Sequence, residues 1–150
     1  MSLTSPHRHE LIGMTGGALL ALGVFVAWYR TDADNPNSMI DGTRGSFSAF
    51  DVHLILRWLL LAAALAPFIL AYIIARRHEL SWARGEMTVV TSIAAFGLVS
   101  YSGLIDRPGT VAVSLAPGWA LALTGTMLMI AAAAMRSSES ERPRKPPGMI

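Results

Sequence analysis

Residues 52–75 read VHLILRWLLLAAALAPFILAYIIA, a run of 24 residues interrupted only by His53 and Arg57, both near its start. A bilayer core of ~30 Å needs roughly 20 consecutive apolar residues, so this stretch alone is long enough to cross one. Three further runs flank it. Residues 11–28 give 18 positions without a charge, and residues 87–105 and 117–135 give 19 each, also uncharged. The fold class that follows is all-α: a four-transmembrane-helix bundle with spans at 11–28, 52–75, 87–105 and 117–135.

Composition agrees. The chain is 53% hydrophobic and 15% charged, whereas soluble domains carry roughly 25% charged residues. The charges cluster between the apolar runs, as a bilayer requires. There is no cysteine, which excludes disulfides, thiol catalysis and thiolate metal sites. The formal net charge of +2 does not point to nucleic acid, because the basic residues border apolar segments and suit a membrane rim better.

The ends of the runs are punctuated. Ser48-Ala49-Phe50-Asp51 has capping-box form, which starts the second helix near Ser48 with Asp51 in its first turn. Pro67 is expected to kink that helix, and Arg76 and Arg77 suit its negative end. Glu86 opens the third helix, Pro117 the fourth, and Arg136 closes it. The first run exceeds the usual signal-peptide apolar length of about 7–15 residues and lacks a small-x-small cleavage site, so it is read as a retained helix.

Orientation follows from the arginines and lysine. With both termini inside, Arg8, Arg76, Arg77, Arg84, Arg136, Arg142, Arg144 and Lys145 are cytoplasmic, against Arg30, Arg44 and Arg107 outside. The positive-inside rule then places residues 1–10 and a disordered tail at 136–150 in the cytoplasm of a multi-pass plasma-membrane protein, with arginine- and alanine-rich composition suggesting a bacterial source. Trp28, Tyr29, Phe47, Phe50 and Trp119 fall at the outer interface, and Trp82 at the inner one.

Arg57 is the residue most out of place. It sits about six residues inside the second run, where a charge costs from ~3 kcal/mol upward unless it faces protein or water. His53 lies one turn before it on the same face, in line with Ala64 and Ala71. Asp106 and Asp51 are its candidate counter-ions, and Tyr101 and Ser102 lie at a similar depth. Together these six form a candidate polar site: an outer vestibule for an anion, proton or lipid headgroup, or a snorkelling or structural arginine. Small-residue stripes at Gly13 and Gly17, and at Gly118 and Ala122, mark close helix contacts. Thr88, Thr91 and Ser92 are candidates for hydrogen bonds between the third and second helices.

The outer loop, residues 30–51, is expected to be solvated and rich in turns. Its Asp32-Ala33-Asp34-Asn35-Pro36-Asn37 segment fails the EF-hand pattern, because Pro36 stands at the fifth position and no glycine at the sixth. No metal or cofactor motif appears, and no catalytic set: the apolar runs contain neither Asp nor Glu.

Short motifs carry a resemblance. Ala27-Trp28-Tyr29, Ser48-Ala49-Phe50-Asp51, Asp106-Arg107-Pro108-Gly109 and Pro117-Gly118-Trp119 resemble the pattern of an uncharacterised four-helix integral membrane family of actinobacteria. The resemblance implies topology and no activity; His53 and Arg57 lie outside it. The expectation is a non-catalytic accessory or interaction subunit in the lipid bilayer, with a membrane-protein partner or a second copy of itself. The alternative is a small transport or channel-like protein using Arg57 and His53.

Overall fold

The computed structural model describes residues 8–76 and 86–140, with side chains through residue 137. Four long helices dominate: α1 (Arg8–Phe25), α3 (Leu56–Ala75), α4 (Glu86–Leu104) and α5 (Pro117–Ser140). They pack as neighbours in the order α1, α3, α4, α5 and back to α1, with α1 most extensively against α5. The remaining elements are a four-residue helix α2 (Ala49–Val52) and strands β1 (Ala27–Arg30), β2 (Ser46–Ser48) and β3 (Ser114–Leu115).

Glycine fixes the helix spacing. A Cβ at Gly16 would fall 2.6 Å from the Gly125 carbonyl oxygen, and one at Gly125 would fall 2.6 Å from the Gly16 carbonyl. Gly23 meets Ala122 and Gly13 meets Ala132, so residue numbers rise on α1 as they fall on α5: the pair is antiparallel. On another face Gly13 meets Pro67 and Gly17 meets Ala64, which sets α1 antiparallel to α3 as well. The start of α1 and the end of α5 therefore share one end of the bundle, opposite the strands.

The surface is inverted relative to a soluble protein. Inside lie Ala63, Ala64, Ala95, Ala122, Ala132, Ser92 and Thr126, while Leu59, Leu65, Ile69, Val90, Ile93 and Leu104 face outward, more than half exposed. Soluble monomers do not expose apolar area on that scale. Among the described residues, Leu56–Ala75, Glu86–Leu104 and Pro117–Ser137 are each long and apolar enough to cross a membrane.

Several boundaries differ from the sequence reading. α1 runs over 8–25 instead of 11–28, because the chain leaves the helix at Val26 to form β1. Its first turn, Arg8-His9-Glu10, then replaces the apolar Val26-Ala27-Trp28, and α1 is not among the three apolar spans. The expected helix over 52–75 is two pieces: α2 ends at Val52, His53–Ile55 forms an elbow, and α3 starts at Leu56. The fold is consequently not purely helical, and it carries an antiparallel sheet of order β2-β1-β3. α5 continues past Arg136 to Ser140, so the first residues of the expected disordered tail are helical. Arg77, Trp82, Arg84, Arg142, Arg144 and Lys145 lie outside the described residues.

Other features stand where the sequence puts them. The capping box is complete: Ser48 Oγ accepts from the Asp51 amide and Asp51 accepts from the Ser48 amide. Glu86 opens α4 and Pro117 opens α5. Thr91 and Ser92, in contrast, donate to the carbonyls of Met87 and Thr88 one turn back in their own helix, not across to α3. A hydroxyl in an apolar helix can always reach that carbonyl.

Candidate functional site at the sheet end

α1 ends with its last-turn carbonyls short of partners, as every helix does. Trp28 supplies one: its indole Nε1–H donates to the Gly23 carbonyl at 2.7 Å. The pairing of β1 with β2 is irregular between Ala27 and Tyr29, where Ala27 faces Ser48 and Tyr29 faces Phe47. That bulge places the extra residue, Trp28, out of strict alternation, and Trp28 and Tyr29 are both fully buried. The aromatic pair expected at the outer interface is instead the core beneath the sheet, with an indole and a phenol both finding polar partners inside.

The Tyr29 hydroxyl lies 3.0 Å from the Ser102 carbonyl oxygen, to which it donates, and 2.9 Å from His53 Nε2. A hydroxyl has one proton, so His53 donates its Nε2–H to Tyr29 and is the Nε2-protonated tautomer. The His53 ring also packs edge-on against both Trp28 and Tyr29. One hydroxyl thus ties β1, the α2–α3 elbow and the end of α4 together. Burial, reinforced by Asp106, pushes the Tyr29 phenol well above its ordinary range, while Arg107 opposes. Burial lowers the His53 imidazole below 6.5, with Asp106 pulling the other way. The phenol therefore stays protonated and the imidazole favours its neutral form.

Arg57 occupies the first turn of α3, not the sixth position of a continuous helix. Its Nη1–H donates to the Phe50 carbonyl at 2.8 Å, and the guanidinium lies 4.6 Å from the Phe50 ring and 5.5 Å from that of Trp58. Phe50 in turn stacks on Phe25 at 5.0 Å and meets Trp58 edge-on. A hydrogen bond to a charged donor is worth ~1.5–3 kcal/mol and each cation–π contact ~0.5–2 kcal/mol. Together they match the ~3 kcal/mol that an apolar surround exacts from an arginine. The partner is a carbonyl and two rings in place of Asp106 or Asp51.

The other candidates separate. Asp51 is exposed and committed to the cap, where its two bonds from Ser48 hold its carboxyl below the ordinary carboxylate range, assisted by Arg57. Asp106 is exposed and acts on Tyr29 and His53 through its charge. Ser102 is buried and contributes its backbone carbonyl. Tyr101 points outward, half exposed, and its carbonyl receives the Ile105 and Asp106 amides that end α4. The six residues are not one vestibule. His53 and Ser102 meet through Tyr29, and Arg57 stands apart over Phe50.

Gly13, Gly17, Gly118 and Ala122 all lie at close helix or strand contacts, Gly118 against the carbonyls of Val26 and Ala27. Gly16, Gly23 and Gly125 mark the tighter seam and are absent from the sequence-derived set.

The loop over residues 30–51, expected to be solvated, is ordered. Ser38 and Ile40 are buried; Ser38 Oγ donates to the Ala112 carbonyl at 3.2 Å, and the Thr110 amide donates to the Met39 carbonyl at 3.1 Å. Thr110 Oγ also donates to the Asn37 carbonyl. Gly109, with φ 101°, packs on Met39 and Ile40, where a side chain would collide. Asp32 and Asn35 cap local turns. The two loops and three strands form one folded cap.

No protein-family model matches this chain, and no curated protein or solved structure matches it significantly.

Proposed function

We propose that the chain is a four-span plasma-membrane protein, N-in and C-in, that acts as a non-catalytic accessory or interaction subunit presenting its folded cap outside the cell. The carrying observation is the pairing of an outward-facing apolar helix surface with a hydrogen-bonded cap closing one end. α1 completes the bundle, since it packs between α3 and α5 and its Gly-lined faces suit close approach in lipid. The antiparallel packing sets the start of α1 and the end of α5 at the end opposite the cap, and the N-in, C-in orientation itself rests on the count of basic residues in the sequence. The Tyr29–His53–Ser102 cluster supports a structural role, because the Tyr29 hydroxyl, His53 Nε2 and the Ser102 carbonyl are occupied in joining elements.

Two measurements test this. A cysteine at Asn37, on the exposed cap, is expected to react with an impermeant reagent on intact cells, and labelling only after lysis reverses the orientation. Purification in mild detergent is expected to retain a membrane-protein partner or a second copy in fixed ratio. A monodisperse single chain under those conditions removes the interaction role.

A further inference from the structure

We propose that Arg57 holds the phosphate of an anionic glycerophospholipid at the cap end of the bundle. Arg57 opens the apolar span Leu56–Ala75, so its guanidinium sits where hydrocarbon gives way to the cap. Around it Leu54, Ile55, Trp58 and Leu59 are all more than half exposed, a surface suited to acyl chains. Phosphate groups lie at this level of a bilayer.

The cation itself is fixed but makes no ion pair. Nη1 is held by the Phe50 carbonyl and the plane lies over two rings. Nε is buried and without an acceptor. Among the described residues no carboxylate stands within ion-pair distance of Arg57. Asp51, which feels its charge, is bonded through Oδ2 to the Ser48 amide and hydroxyl. What remains is the outer edge of a planar guanidinium, the geometry that phosphate oxygens match. A lipid fits better than a free anion, because the same surface offers apolar contact and the bilayer delivers the headgroup. An anionic headgroup fits better than a zwitterionic one, whose ammonium brings a second cation beside Arg57.

The inference rests on the membrane placement proposed above, and the test separates the two. The full chain, in mild detergent, is mixed with phosphatidylglycerol or phosphatidylcholine and retained lipid is counted by native mass spectrometry. Wild type is expected to keep one phosphatidylglycerol roughly tenfold better than phosphatidylcholine, the worth of one charge-assisted contact. Arg57→Gln is expected to abolish the preference, Arg57→Lys to keep part of it, and Arg44→Gln, on the exposed cap, to leave it intact. Phosphatidylglycerol is also expected to raise the melting temperature of wild type more than that of Arg57→Lys, a comparison that survives if Arg57→Gln fails to fold. Equal preference in wild type and Arg57→Gln, or equal stabilisation of wild type and Arg57→Lys, overturns the site. Displacement of the lipid by inorganic phosphate at matched concentration overturns its lipid character. A chain that does not sediment with membranes overturns the placement; one that sediments but does not discriminate overturns the site alone.

Discussion

Along the α1–α5 seam, Gly16 and Gly125 set one backbone against another with no side chain between them; under the sheet, Trp28, Tyr29 and His53 fill the space with rings and hydrogen bonds. The difference is the one that the membrane placement proposed above implies. Between helices in lipid there is little hydrophobic driving force, and close van der Waals approach takes its place; in a cap in water, large aromatic residues gain from burial and their polar atoms must be matched. One 150-residue chain therefore sets backbone against backbone at glycines along one seam, beside buried Leu20 and Met129, and fills the space under its sheet with aromatic rings.

The sharpest way to break the comparison is Gly16→Leu. The new side chain meets Gly125 backbone and Met129, neither of which can withdraw without parting the helices. The expected loss is about 3 kcal/mol or more of stability in detergent, from overpacking that no rotamer relieves. Gly97→Ala is the control: nothing lies within 4 Å of a Cβ there, so it is expected to be neutral or to stabilise by up to ~1 kcal/mol through helix propensity. Similar losses for the two variants in a thermal-melt assay would mean that glycine matters for backbone flexibility and not for the seam.

Tyr29→Phe probes the other half at smaller cost. It keeps the ring but strands the Ser102 carbonyl and the His53 Nε2–H, so about 1–3 kcal/mol is expected to be lost. His53→Leu and Tyr29→Phe are expected to be non-additive, because each removes the same bond. Additive losses would show that the Tyr29–His53 contact contributes nothing beyond its packing.

Much of this division was legible in the residues. The apolar runs stand out because a bilayer demands length, and Pro117, Glu86 and the Ser48–Asp51 cap mark real helix starts. The end of α1 was not legible, since Val26-Ala27-Trp28 is as apolar as the helix before it, and only pairing with Ser46–Ser48 and Ser114–Leu115, distant in sequence, makes it a strand. The elbow at His53–Ile55 was hidden for a similar reason: its side chains continue an apolar pattern while its backbone does not. Adjacent Gly16 and Gly17 give two faces, and spacing alone favoured the Gly13–Gly17 stripe; Gly16 emerges only against Gly125. Arg57 was recognisable as anomalous, but its partner is the Phe50 carbonyl, and a backbone acceptor has no sequence signature.

The smallest expected effect is a pH dependence confined to the cap. His53 has its folded-state pKa lowered below 6.5, mainly by burial, so the unfolded chain binds the proton more readily. Where the unfolded state binds more protons, stability rises with pH. The contribution of His53 is therefore fully present above about pH 6.5 and is lost as pH falls from there towards the folded-state value. Asp51 has its pKa lowered too, but its loss begins only near the ordinary carboxylate value of 3.8, so the two windows separate. Protonation adds a hydrogen at Nδ1 and leaves the Nε2–H bond to Tyr29 in place, and the half-buried ring keeps some access to water. The effect is then smaller than that of Tyr29→Phe. His53→Gln, which retains an N–H for Tyr29, is expected to flatten the melting-temperature curve between pH 7 and 5 without touching the acid limb near pH 4. An unchanged slope in that variant would move the titration between pH 7 and 5 to another group and leave Asp51 as the acid-sensitive residue assigned to the cap.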